Sequence, residues 1–139
     1  MSTLDSVLLI AFGGPESPDD IRPFLRNVAA GRPIPPERLE EVAHHYERIG
    51  GRSPLNALTR RQGEALAAAL AARPGAPSVW VGMRNWHPYL HETLAEMADR
   101  GRRRALGIIL SSLQTEASWS RYVADVAAAR EKVGPDAPE

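Results

Sequence analysis

A chain of 139 residues with 17 basic against 17 acidic side chains and no cysteine has room for one domain with a real core. The even charge argues against a nucleic-acid binder, which would carry a basic excess, and the missing thiols exclude disulfides and thiolate metal sites. Hydrophobic residues make up 43% of the chain, yet no apolar run approaches the ~20 residues that a membrane helix needs. No signal peptide is read ahead of the first strand, so a cytoplasmic location is expected.

The first element is the apolar run Val7-Leu8-Leu9-Ile10-Ala11-Phe12, which ends in Gly13-Gly14-Pro15. Such a run bounded by turn residues predicts a strand buried on both faces, as in a parallel sheet. The glycines let the backbone turn sharply and come close to its surroundings. Ligands of open α/β sheets bind outside the carboxyl ends of the strands, so Phe12, the last side chain before the turn, is expected to look into a pocket.

Ser17-Pro18-Asp19-Asp20 reads as a helix start, with Ser17 as cap and Pro18 at the first helical position. Ile21, Phe24, Leu25 and Val28 follow at helical spacing, and Pro23 predicts a kink or a late start. Gly31 to Pro36 is a stiff connection. A second helix is predicted from Pro36 to Ile49, with Leu39, Val42, Ala43 and Tyr46 inward and Gly50-Gly51 as its stop. Ser53 is expected to cap a third helix with Pro54 at its first position, Leu55, Leu58, Leu66 and Leu70 forming its buried stripe.

Two strand-helix units follow. A strand at 78–83 leads to a helix from Pro88 to Arg100 closed by Gly101, and a fully buried strand near 104–111 leads to a helix from about Ala117 to Val133. Trp119, Tyr122, Val123 and Val126 are expected on one side of that last helix. The fold class is α/β, a Rossmann-like or flavodoxin-like parallel sheet with the first strand between the other two and helices on both faces. Three strands leave exposed edges, a liability that proteins usually cover. Gly134 to Glu139 reads as a loop-like tail where a further strand should begin, so residues 1–139 are expected to form one incomplete lobe of a larger fold.

Candidate motifs are weighed against structural roles. Gly13-Gly14 has neither phosphate-loop spacing, and the acids that follow it would repel phosphate. His44-His45 are adjacent on a helix and point apart. His87 and His91 have the spacing of a zinc pair, but His87 precedes Pro88, is read as a cap, and no third ligand is near. Arg102-Arg103-Arg104 is read as a solvated loop at a helix C-terminus. Ser53 is first of all a cap, at the positive end of a helix that could face an acidic ligand. Tyr46 and Tyr122 read by periodicity as core residues with a satisfied hydroxyl.

Four stretches, LLIAFGGPESPDDIRPFLRNV, GRPIPPERLEEVAHHYERIGGRSPLN, VGMRNWHPYLHETLAEM and SWSRYVADVAAAR, in this order, resemble the N-terminal half of bacterial ferrochelatases of the actinobacterial, coproporphyrin type. The resemblance implies two similar α/β lobes with a porphyrin cleft between them, inserting ferrous iron into coproporphyrin III or protoporphyrin IX in haem biosynthesis. No organic cofactor is implied, and iron is a substrate. Distortion of the macrocycle exposes its pyrrole nitrogens. The family's proton-accepting histidine and glutamate lie in its second lobe, so no catalytic residue and no metal ligand is expected here, and this chain alone is expected to be inactive.

The resemblance also implies substrate contacts. Phe12 matches an aromatic position facing the porphyrin metal, although phenylalanine cannot ligate iron. Ser53 matches a serine that contacts a propionate, and Tyr122 a substrate-binding tyrosine. Tyr46 and Arg32 match positions near the propionates. Ala29 and Ala30 stand where some members carry arginines, and Trp119 where actinobacterial relatives carry an iron–sulfur cysteine, so no cluster ligand comes from this chain. Expected partners are the porphyrin and ferrous iron, with no nucleic acid and no membrane span. Two alternatives stand beside this reading, a short chelatase that dimerises to rebuild a cleft and a non-catalytic porphyrin-binding module.

Overall fold

Three parallel strands, β1 (Ser6–Ala11), β2 (Ser78–Met83) and β3 (Ala105–Ile109), lie in the order β2-β1-β3 in the computed structural model, which describes residues 3–139. The sequence predicts this order and direction. β1 is buried along its whole length, as an apolar run without alternation requires at the centre of a parallel sheet. Leu8 pairs with Trp80 on one side and Gly107 on the other, and Ile10 with Gly82 and Ile109.

Helices cover both faces, and the strand's alternation decides which side chains meet which helix. Leu8 and Ile10 pack with Leu90, Leu94 and Met97 of α4 (Leu90–Asp99) and with Tyr122 and Ala129 of α5 (Arg121–Val133). Leu9 points the other way, toward α3 (Leu55–Leu70). α1 (Ile21–Ala29) and α2 (Pro36–Arg48) form a separate apolar cluster through Ile21, Phe24, Leu25 and Ala43. The late start of α1 follows from Pro23. A one-turn 3-10 helix, Pro18–Asp20, comes first, and Pro23 falls in the first turn of α1, where an amide has no intrahelical partner to lose.

The predicted stripe of α3 is corrected. Leu55 and Leu58 are exposed, and the buried residues are Asn56, Thr59 and Gly63. At Gly63 a Cβ would lie 3.2 Å from Val81 Cγ2, with Leu9 and Val79 beside it, so the helix reaches the sheet on its smallest residues. α3 also begins one residue later than expected, with Pro54 in the cap position. α5 differs too. A π-helical turn, Glu116–Ser120, precedes it, Trp119 and Val123 face outward, and the inner face runs through Tyr122, Val126 and Ala129.

β3 is not the fully buried strand its apolar run predicts. Ala105 and Ile109 pack against the α4–α5 side, but Leu106 is 48% and Ile108 37% exposed on the other. The tail, 134–139, is the loop that the sequence predicts, with no helix or strand, but its last residue is tethered to β3. The Glu139 amide donates to the Arg103 carbonyl and the Glu139 carbonyl accepts from the Ala105 amide, both at 2.9 Å, which pins the tail to the outer edge of β3. No helix among the described residues is long and apolar enough to cross a membrane.

At the opposite, amino-terminal end of the sheet, Asp5 ties the strands together. Its carboxylate accepts from the Arg103 amide at 2.7 Å, the Arg104 amide at 3.2 Å and the Ser6 hydroxyl at 2.8 Å. Burial pushes this carboxyl up, but those three donors hold it below its usual value. The Arg102 amide donates to Met97 and ends α4, so the arginine run serves a helix end and a strand start.

Candidate functional site

The carboxyl end of β1 is built by close approach. Gly13 has φ +86, and a Cβ there would meet the Trp86 amide nitrogen at 3.2 Å. A Cβ on Gly14 would lie 2.8 Å from Ser53 Cβ and 2.9 Å from Ser53 Oγ, well inside van der Waals contact. The Ser53 amide donates to the Pro15 carbonyl at 2.8 Å, and buried Asn56 Nδ2 donates to the Gly14 carbonyl at 2.9 Å. The strand-to-helix turn is thereby locked onto the start of α3. Ser53 Oγ accepts from the Leu55 amide at 3.2 Å, a local bond made from the position before the cap Pro54, so the sequence-based assignment of Ser53 as the cap is corrected to a residue that braces the first helical amide. Among the described residues Asn56 Oδ1 is buried without a partner, an acceptor open to a donor in this crevice.

Phe12 is 38% exposed and meets Phe24 edge-on with centroids 6.2 Å apart. Phe24 meets Tyr46 in the same way at 6.0 Å, so an aromatic chain runs from the end of β1 to α2. Tyr46 is half-buried, and burial raises its phenol above the usual value. On the other side of Phe12 stands Arg84, directly after β2. Its guanidinium lies 5.9 Å from the Phe12 ring centroid and 4.7 Å from that of Tyr122, and Nε donates to Asp125 Oδ2 at 2.5 Å. Burial pushes the Tyr122 phenol up while the charge and hydrogen bond of Arg84 pull against it, leaving it raised.

The structure therefore joins four of the five sequence-predicted contacts. Phe12 and Tyr46 are linked through Phe24, Phe12 and Tyr122 through Arg84, and Ser53 abuts Gly14 two residues beyond Phe12. Arg32 stands apart in the exposed loop after α1, held by its amide to the Ala29 carbonyl at 2.9 Å. Arg84 and Asn56 were not singled out by sequence reasoning. Arg84 had a legible signal, a lone cation at the polar end of an apolar strand and so at the ligand edge of the sheet. Asn56 looks in sequence like an ordinary first-turn residue.

The histidines fall elsewhere. His44 and His45 are exposed, and His44 Nδ1 lies 2.8 Å from Glu47 Oε2. His87 is not the cap of α4. That position belongs to Tyr89, whose amide donates to Glu92 Oε2 at 2.8 Å, while His87 Nδ1 lies 3.0 Å from Glu92 Oε1. Burial pushes the Glu92 carboxyl up, but the Tyr89 amide and His87 bring it below its usual value.

The strand ends of this parallel α/β sheet bring together an aromatic and cationic surface, the edge at which open α/β sheets bind their ligands. Residues 5–139 match the family model described as Ferrochelatase, and the chain belongs to the ferrochelatase family. It is 49% identical over 135 residues to the coproporphyrin III ferrochelatase of Mycobacterium marinum, covering 97% of this chain and 38% of that protein. Against the Frankia alni protein of the same name, identity is 50% over 132 residues, 95% of this chain and 33% of the relative. With that of Mycolicibacterium smegmatis it is 44% over 137 residues, 99% of this chain and 40% of the relative. The chain thus spans well under half the length of these curated relatives.

Proposed function

We propose that this chain forms the porphyrin-cradling lobe of a coproporphyrin ferrochelatase, the enzyme that inserts ferrous iron into coproporphyrin III in haem biosynthesis, and that it works in the cytoplasm. The observation that carries the reading is the match along almost the whole chain to proteins named for that activity. The arrangement at the strand ends supports it. Phe12 offers an exposed ring against which a flat macrocycle can stack. Ser53 offers a hydroxyl at the positive end of a 16-residue helix, suited to a propionate. Arg84 and the Tyr122 hydroxyl together offer charge-assisted donors to a second carboxylate. In this reading Tyr46, joined to Phe12 through Phe24, meets the propionate periphery, while Arg32 lies apart in the loop after α1.

Iron insertion also needs acceptors for the two pyrrole protons, and in this reading they come from outside these residues. The chain should therefore quench coproporphyrin III fluorescence saturably, yet form no enzyme-dependent haem with ferrous iron under anaerobic conditions. Absence of saturable binding would overturn the reading. One observation favours a second reading, a short chelatase that pairs with its own copy. Among the described residues β3 is the outer strand, its edge met at its start by Glu139 and by no further strand, and Leu106 and Ile108 are exposed. Saturable iron insertion by a species of twice the chain's mass would decide for it, and binding by a monomer with no insertion in any complex would leave a porphyrin-binding module.

A further inference from the structure

Beside Arg84 opens a cleft of about 450 Å³ whose lining includes none of the five sequence-predicted contacts. One wall is a stripe of α5 on which Arg121, Asp125, Ala128 and Lys132 follow at helical spacing. His91, in the first turn of α4, forms part of the facing wall. Three cations, Arg84, Arg121 and Lys132, meet a single carboxylate, and Asp125 is already taken by Arg84 at 2.5 Å. Arg121 has no ion-pair partner among the described residues, and Lys132 Nζ has only His91 Nε2 near it, at 3.5 Å. In a chain with formal net charge +0, this concentration of unmatched cations in a concave site is local. The small Ala128 between Arg121 and Lys132 leaves room above the helix.

We propose that this cleft binds a pair of carboxylates, one on Arg121 and one on Lys132, with Arg84 fixed by Asp125 as a third, pre-positioned charge. Two arginine- or lysine-bound carboxylates are each charge-assisted, and a concave wall screens them less than a flat surface would. The paired carboxylates have two sources, the propionate arms of the tetrapyrrole, which rests on the function proposed above, or a free dicarboxylate.

The test uses Arg121→Gln/Lys132→Gln, both exposed positions whose loss leaves the core intact, with Arg61→Gln/Arg73→Gln as a control of equal charge on exposed sites of the α3 side. Coproporphyrin III is titrated by fluorescence and succinate by calorimetry. A ten-fold or greater loss of coproporphyrin affinity in the cleft variant, absent from the control, supports the site with the substrate's arms as occupant. Loss of succinate binding with coproporphyrin affinity unchanged supports the site with a free dicarboxylate as occupant. Equal affinities in wild type and cleft variant in both arms, an equal loss in the control, or no binding of either compound by the wild type overturns it. Succinate binding lost in the variant, with no coproporphyrin binding by any form, leaves the site standing while the proposed function falls. Unchanged porphyrin binding without succinate binding does the reverse.

Discussion

Gly14 and Ser53 sit so close that each constrains what the other can be. A methyl group on Gly14 would be 2.8 Å from Ser53 Cβ, so Gly14→Ala must push the start of α3 away. It should destabilise the fold by about 1–3 kcal/mol, the usual range for overpacking, as read from urea unfolding. Tyr122→Phe separates packing from binding. The ring still fills its place among Leu8, Ile10 and Leu90, so the melting temperature should hold, while coproporphyrin affinity falls about ten-fold, the value of one charge-assisted hydrogen bond. An unchanged affinity would confine Tyr122 to the core. Ser53→Ala needs a different readout, because its hydroxyl also serves the Leu55 amide, and loss of that hydrogen bond costs about 1 kcal/mol on its own. Its binding penalty should vanish with a coproporphyrin whose contacted propionate is esterified. An equal penalty on both compounds would leave Ser53 with a structural role at the start of α3 alone.

At the scale of elements, α3 shows where periodicity misleads. Leu55, Leu58, Leu66 and Leu70 form the obvious apolar stripe, yet the helix approaches the sheet on Asn56, Thr59 and Gly63, because a small residue permits a short helix–sheet distance that leucine forbids. Gly63→Val should therefore destabilise by about 1–3 kcal/mol, whereas Leu58→Gln should stay within about 0.5 kcal/mol. The reverse order in urea unfolding would restore the leucine stripe. Asp5 supplies the pH dependence at the other end of the strands. Its folded carboxyl titrates below its unfolded value, so its contribution is fully present above the unfolded pKa and is lost as pH falls through the folded one. The melting-temperature deficit of Asp5→Asn should be constant from pH 6 to 8 and close in the acid range below the ordinary carboxylate value. A deficit that persists at pH 2 would mean that the loss is steric.

For the whole molecule, strand order, direction and the two-sided helical cover were legible because an apolar run between turn residues has few other solutions. What the chain did not disclose depends on distances between elements. The lock between Gly14, Ser53 and Asn56 joins residues 42 positions apart, and Arg84 gains its place only when β2 sets it beside Phe12 and α5. The exposure of Leu106 and Ile108 was hidden because a run of apolar residues carries no sign of which face a neighbour will cover.

The central claim is that the carboxyl ends of the strands, around Phe12, Ser53 and Arg84, hold a tetrapyrrole. Titration of the isotopically labelled chain with coproporphyrin III, followed by amide resonances, tests it most directly. Saturable shifts should centre on residues 12–14, 53–56 and 84–85, with Asp5, Arg103 and Arg104 at the other end of the sheet unmoved. No saturable shift, or shifts centred on that opposite end, would contradict it.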